Sequence, residues 1–435
     1  MAVYVATSSP EDTAFAQSVP RTYAWIVFAL TFGLLSSDYM SRQVLNAVFP
    51  VLKAEWSLSD TQLGSLSSVV ALLVGLLTFP LSVVADRWGR VKSVVLMALL
   101  WSLATLACAL AASYDQMFIA RFFVGVGEAA YGSVGIALIL SIFPAHLRSS
   151  LTSAFMAGGP VGSVVGMAFG GVVATHFGWR WSFGAMAAFG IILVILYSII
   201  VSEKKLRPQA TGDAAAPTKP LPPPGLRYIV SGLFSSVSVI AAYVGSGLQL
   251  FIMAAMLAWL PSFLNRYYGL PTDKAGVSAA AFILIGAVGM ILCGIVTDRL
   301  SRATPGKKWT VAIAYALISA TLLLIAFQIP PGTTQLVMIG AGMLLVAGTA
   351  GPAGAMVANL THPSIHATAF ATLTLANNLL GLAPGPFFTG VIADRIGLMG
   401  AMQIIPLISI GAATAFAIGK RRYAEDLSRI QAMQL

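Results

Sequence analysis

Charge is scarce in this chain. Of its 435 residues only 9% are Asp, Glu, Lys or Arg, against roughly 25% in an ordinary soluble domain. A soluble body of this length needs far more charge to cover its surface, which excludes an ordinary cytosolic enzyme. Disorder is excluded too, because 58% of the residues are apolar and disordered chains are poor in apolar residues and rich in charge. Cysteine is scarcer still. Cys108 and Cys293 sit inside apolar runs with no redox or metal partner nearby in sequence, so they read as small packed residues and imply no disulfide framework. The four histidines are His146, His176, His362 and His366. The last two have helical i, i+4 spacing, but no cysteine or carboxylate beside them completes a metal set. No metal, no cofactor and no enzyme activity are expected, since no nucleophile–base constellation is present either.

Long apolar runs fill the space that charge leaves. Val69 to Val84 and Phe183 to Val201 are unbroken, which suits membrane helices of about 20 residues and not the short alternating segments of a membrane β-barrel. The expected fold is an all-α integral membrane protein of twelve transmembrane helices in two six-helix halves. The spans are read at 22–48, 61–85, 92–112, 116–142, 149–176 and 180–202, then 228–262, 275–298, 309–328, 334–360, 365–393 and 398–419. Residues 1–21 form a polar tail with no basic residue before Arg21, unlike a secretory signal, so the first apolar run is a retained span. Residues 22–202 form the first half, and 203–227 a Pro-rich, charged linker of the kind that stays extended and solvated. Residues 228–419 form the second half and 420–435 a C-terminal tail.

Basic residues set the expected orientation. With both termini in the cytoplasm, eighteen of the 25 Lys and Arg residues fall on the cytoplasmic side and five outside, while Arg42 and Arg121 lie within spans. That bias is the positive-inside signature. It accounts for the net charge of +10 as contact with anionic lipid, and not as a nucleic-acid surface, because the charge is spread among loops.

The halves echo one another. Asp86-Arg87-Trp88-Gly89-Arg90 follows the second span, and Asp298-Arg299-Leu300 follows the eighth. The eleventh span ends in Gly390-Val391-Ile392-Ala393-Asp394-Arg395, and the fifth in Gly171-Val172-Val173-Ala174-Thr175-His176. Duplication on this scale points to a transporter with a central path between two halves.

The six-plus-six layout with the Asp-Arg-x-Gly-Arg loop resembles the major facilitator superfamily, with Ser82 in place of the first glycine of its signature. Arg121-Phe-Phe-Val-Gly125-Val-Gly127-Glu128-Ala-Ala-Tyr131 is similar to the fourth span of the Spinster branch, whose animal members export lysolipids and phosphorylated sphingoid bases. Arg42 matches that branch's first-span arginine. Ser41 stands where the branch has an acid, and Asp38 returns one turn earlier. The sister branch of anion:cation symporters, importers of small organic anions, is a competing resemblance. The resemblance implies a cytoplasmic gate of Asp86, Arg87, Gly89, Arg90 and Arg148, repeated by Asp298 and Arg299. It also implies a first and fourth span that line the cavity.

The acidic census locates the chemistry. Of 15 Asp and Glu residues only Asp38 and Glu128 fall well inside spans, with Arg42 and Arg121 the bases there. Buried charges at bilayer depth must pair or face a wet cavity. Asp38 and Arg42 share a helix face at i, i+4; Arg121 and Glu128 share one at i, i+7, two turns apart. Protonating either acid would leave an arginine uncompensated and favour an anion. Either acid can carry the proton; Glu128 is the expected carrier, Arg42 the anion contact and Arg121 the group that tunes Glu128. Further polar contacts are expected from Asn46, Tyr131, Tyr243, Gln249, Asn377 and Asn378, against an apolar wall of Phe251, Met253, Met256 and Trp259. Gly158-Gly159-Pro160 in the fifth span reads as close packing or as an exporter's glycine-proline motif. Pro384 and Pro386 can bend the eleventh span.

The expected function is a proton-coupled, alternating-access transporter of an amphipathic or organic anion. Protons and membrane lipid are its other partners, and it is expected to be a monomer in a bacterial inner membrane. The alternatives are a symporter importing a small organic or sugar acid, and a non-transporting receptor of the same fold.

Overall fold

The computed structural model describes residues 20–206, 233–234 and 236–432, without 145–146, 303, 305 and 362–365. Side chains are not described at Asp86, Arg148, Ser149, Lys204, His366, Ala367 and 430–432. Most of the expected tails and linker, and His146, His362 and the His366 ring, thus lie outside the described residues.

The described residues are helical, without a strand. In the first half, α1 (Arg21–Trp56), α2 (Asp60–Trp88) and α3 (Arg90–Leu110) are single spans. The fourth span is α4 (Tyr114–Glu128) and α5 (Tyr131–Ile142), the fifth α6 (Arg148–Met156) and α7 (Gly158–Phe177), and the sixth α8 (Trp179–Ile200), followed by a short α9 (Glu203–Leu206). In the second half, α10 (Val237–Tyr268), α11 (Thr272–Ser301) and α12 (Lys307–Ala326) precede the tenth span, α13 (Thr333–Ala347) and α14 (Ala350–Asn359). The eleventh span is α15 (His366–Asn377), a π turn (Asn378–Leu382) and the first part of α16 (Pro384–Ile404); α17 (Ile408–Ala432) ends the chain. Among the described residues, eleven stretches are long and apolar enough to cross a membrane, and the last, Thr368–Arg429, reverses at Gly397, where φ is 80°. Only glycine adopts that backbone cheaply, so this stretch holds two crossings and the total is twelve.

Local sequence explains where the helices start and break. Ser59 and Gln62 form a capping box at α2, and the Ser113 hydroxyl accepts from the Gln116 amide at α4; such caps satisfy otherwise orphaned N–H groups. The π turn has its cause just downstream. Pro384 and Pro386 bring no N–H to the carbonyls of Leu380 and Leu382, and the ladder shifts so that the Ala383 amide donates to Asn378 O at 2.9 Å. The π turn therefore lies just before the prolines.

Small residues draw α7 onto α1. A Cβ on Gly162 would come within 2.3 Å of Ser36 O, and one on Gly166 within 2.4 Å of Met40 O. This is the close helix approach that small residues permit in membranes. Ser82 donates to Thr78 O and shares a hydrogen bond with Ser133 Oγ at 2.7 Å, so its hydroxyl ties α2 to α5. Cys108 and Cys293 are free and buried.

One end of the bundle carries Tyr23, whose hydroxyl donates to Ile200 O, and the start of the linker; we call it the linker face. The opposite end carries Trp56, Asp60 and Trp179 and is the far face. The halves meet firmly at the far face. Asp394 on α16 accepts from the backbone amides of Asp60 and Thr61 at 2.7 and 2.8 Å and from Thr61 Oγ1 at 2.6 Å. Arg266 on α10 grips the Asp60 carboxylate at 2.6 and 2.9 Å, and Lys53 reaches it at 2.7 Å. Gly390 packs against Asp60 O, and Gly171 against Thr272 O, with no room for a side chain.

Candidate functional site

The site is built on α1, α2, α4 and α7, with α10 and the eleventh span opposite. A cavity of about 140 Å³ lies between them. Its polar lining is Tyr39, Arg42, Gln43, Asn46, Ser67, Arg121 and Ser163, all from the first half. Ala254, Leu257, Ala258, Leu382 and Pro386 face them from the second half. The apolar wall is therefore present, but its members differ from those expected. Phe251, Met256 and Trp259 are buried in the core, and the Trp259 indole donates to Pro386 O at 3.0 Å. Met253 points at Gly286 of α11. Three of the wall residues, Ala254, Leu257 and Ala258, are their neighbours on the same helix, and Leu382 and Pro386 come from the eleventh span.

Three of the four mid-span charges converge. Arg42 Nε donates to Asp38 Oδ1 at 3.0 Å, and Arg42 Nη2 lies 2.8 Å from Glu128 Oε2. The second contact is an ion pair off hydrogen-bond alignment, and Glu128 Oε1 has no partner. The acids are shielded, with side chains 4% and 0% exposed, while Arg42 is 19% exposed. Tyr39 packs its ring 5.2 Å from the guanidinium, a favourable cation–π distance.

Arg121 stands apart from this trio and makes no ion pair with Glu128, so any influence it has on that acid acts through space and not through contact. Its Nε donates to Leu66 O at 3.3 Å on α2, its Nη1 has no partner, and it makes no ion pair among the described residues. Two helical turns separate it from Glu128, which turns instead to Arg42 on another helix. A buried guanidinium with an unused donor on a cavity wall is a ready site for an anion.

Five expected substrate contacts are not on the cavity wall. Tyr131 donates to Thr31 O at 2.6 Å and packs edge-on against Trp101. Tyr243 donates to Ala369 O at 3.4 Å. Gln249 accepts from Ser409 Oγ at 3.0 Å and so faces α17. Asn378 donates to Thr374 O at 2.9 Å and packs against Gly75, and Asn377 Oδ1 is buried without a partner. Buried polar groups seek partners; Tyr131 and Tyr243 find theirs within the helix bundle, whereas Gln249 Nε2 and Asn378 Oδ1 are buried without one. Asn46 does line the cavity: its Nδ2 donates to Gln43 Oε1 at 2.8 Å and its Oδ1 accepts from Ser67 Oγ at 2.6 Å.

The residues assigned to the linker-face gate make no described link between halves. The side chains of Asp86 and Arg148 lie outside the described residues. Arg87 and Arg299 are exposed. Arg90 donates to Ala137 O at 3.4 Å within the first half, and Asp298 faces Lys308 at 3.9 Å within the second. Gly89 has φ 107° and joins α2 to α3.

Sequence reading missed Gln43, Ser67 and Ser163 on the cavity, and Asp60, Arg266 and Asp394 at the far face. The i, i+3 spacing of Gln43 and Asn46 was the available signal for the first group. For the second it was the acid of Asp394-Arg395, which the fifth span's Thr175-His176 lacks.

Comparison with known proteins agrees with this architecture. The family model described as Major Facilitator Superfamily matches residues 31–386. The chain is similar to a hexuronate transporter of Bacillus subtilis, 24% identical over 377 residues, which cover 86% of this chain and 88% of that protein. It is also similar to protein spinster homolog 1 of Homo sapiens, 26% identical over 395 residues, covering 87% and 74%. A crystal structure of a bacterial homologue of the human lysosomal transporter Spinster, described as inward-facing and unoccupied, superposes with a TM-score of 0.84 at 21% identity, covering 94% of this chain and 99% of that one. That likeness is one of fold.

Proposed function

Because this chain belongs to the major facilitator superfamily, we propose that it is a proton-coupled, alternating-access transporter of an organic anion. The observation that carries the proposal is the unequal division of four buried charges. Arg42 holds both Asp38 and Glu128, so that trio is negative by one when both acids are ionised. Arg121 has no carboxylate partner among the described residues and faces the cavity. Protonating one acid makes the trio neutral and leaves Arg121 as an uncompensated positive charge, which an anion can neutralise. Proton and anion thus stabilise one another in the same cavity. Asp38 and Glu128 share the proton role, with Glu128 the deeper of the two, and Arg42 and Arg121 are the anion contacts. The hexuronate transporter among the relatives speaks against a receptor that moves nothing.

The two halves move about this cavity. The far face is closed, so the cavity opens toward the linker face when the halves rock. With the basic loops in the cytoplasm of a bacterial plasma membrane, that is the inward-facing state, and Asp86, Arg87, Arg90, Arg148, Asp298 and Arg299 close the linker face in the opposite state.

A second reading, an amphipathic anion of the Spinster type, is favoured by one observation. An apolar groove of about 350 Å³ lined by Leu72, Phe118, Leu379 and Phe387 runs along the seam of α2 and the eleventh span. It offers room for an acyl chain beside the polar cavity. Proteoliposome uptake with a panel of organic acids and lysophospholipids, with and without a pH gradient, tests both readings. Glu128→Gln is expected to abolish the stimulation by the gradient while exchange of substrate persists. Full gradient-driven uptake by that variant would remove Glu128 from proton coupling.

A further inference from the structure

The cavity wall holds a hydrogen-bond chain with a defined direction. Ser67 Oγ donates to Asn46 Oδ1 at 2.6 Å, and Asn46 Nδ2 donates to Gln43 Oε1 at 2.8 Å. An amide whose oxygen is held this way must present its nitrogen at the other end. Gln43 Nε2 accordingly has two hydrogens and no protein partner among the described residues. Gln43 and Asn46 are 7% and 6% exposed, so both are anchored in the wall with only their tips in the cavity. The same cavity receives Arg121, whose Nη1 is likewise without a partner. Two unpartnered donors from α1 and α4 therefore face one cavity, and the opposing wall of Ala254, Leu257, Ala258, Leu382 and Pro386 brings no side-chain polar group to meet them.

We propose that Gln43, oriented by Asn46 and Ser67, is a specificity-determining donor that binds a second oxygen of the substrate beside the anionic group held by Arg121. The proposal rests on the reading of this cavity as an organic-anion site and adds to it a requirement for an oxygenated neighbour. An empty donor at a dry site is costly when the ligand offers it nothing. Sites built to hydrogen-bond an oxygen reject analogues that lack it far more strongly than apolar pockets reject a missing methylene. The preferred ligand is thus an acid bearing a hydroxyl or carbonyl close to its carboxylate. A plain alkanoate would leave Gln43 unsatisfied. Asn46 and Ser67 are positioning residues: they fix which end of the Gln43 amide faces the ligand.

Two probes of equal carbon number separate these cases, gluconate with its hydroxyls and hexanoate without them. Uptake into proteoliposomes containing the full chain is measured for both, together with a lysophosphatidylglycerol, a lysolipid with a net negative charge. Wild type is expected to prefer gluconate. Gln43→Met is expected to raise the KM for gluconate about tenfold, the scale of one lost hydrogen bond, with kcat nearly unchanged, and to lower the KM for hexanoate, which then leaves no donor unsatisfied. Gln43→Leu provides the same comparison if the methionine variant does not fold. Ser67→Ala should reproduce part of the KM change and Ser67→Thr should restore it, which a purely structural role would not do. Equal uptake of gluconate and hexanoate by wild type overturns the proposal, as does an equal loss for both probes in the Gln43 variants. Uptake of the lysolipid alone overturns it while leaving anion transport standing. If no probe moves in either direction, the transport reading falls and this proposal falls with it.

Discussion

At the scale of single residues, the two arginines that share a membrane depth do different jobs. Arg42 pairs with two carboxylates at once, so Arg42→Met would leave both acids buried without a base. Breaking a buried pair in this way costs about 3–5 kcal/mol. Arg121→Met removes only a hydrogen bond to Leu66 O and is expected to cost about 1–2 kcal/mol while abolishing anion uptake. Thermal unfolding in detergent micelles, read beside uptake, distinguishes the two variants. Adding Glu128→Gln to Arg42→Met should recover part of the lost stability. The sequence made these four charges visible because charge is so rare within the spans. The Asp38–Arg42 pair was also legible, since i, i+4 spacing is local. The Arg42–Glu128 contact was not, because it joins helices 86 positions apart in the chain and no periodicity encodes it. Spacing on one helix instead suggested Arg121 as the partner of Glu128.

At the scale of elements, the far-face junction is a helix cap supplied by another helix. Asp394 ends the eleventh span and accepts from the first amides of α2, where a helix carries its partial positive charge. These bonds must break before the far face can open. Asp394→Asn keeps the shape and loses the charge, which weakens charge-assisted hydrogen bonds by about 1.5 kcal/mol, about tenfold in population. Spin-label distances between α2 and α16 at that face should show a larger open fraction in the variant; an unchanged distribution would mean that the cap does not bias the equilibrium. Most helices of this bundle were readable from apolar runs, down to the breaks near Gly178 and Gly397. The π turn was less so. Pro384 and Pro386 announced a bend, but its place at Asn378–Leu382 depends on which carbonyls the prolines leave without a donor. Lys53, Asp60 and Arg266 read as loop charges that mark topology, because only folding brings their loops together.

At the scale of the whole molecule, the twelve-span, two-half layout was legible from composition and the repeated Asp-Arg loops, and the closed end was not, since both ends share one sequence. The uneven cavity has a consequence for how such a protein diversifies. Every polar lining side chain belongs to the first half, and the second contributes only apolar ones. A ligand is then tethered to one half while the other passes over it as a nearly featureless wall. Ligand preference should be heritable with residues 22–202 alone. A chimera that keeps this segment and takes its second half from the hexuronate transporter of Bacillus subtilis is expected to retain the substrate ranking of this chain in uptake assays, whereas the reverse chimera should lose it. Selection could in that case retune the cargo through a few positions on α1, α2 and α4 without disturbing the surfaces on which the second half slides.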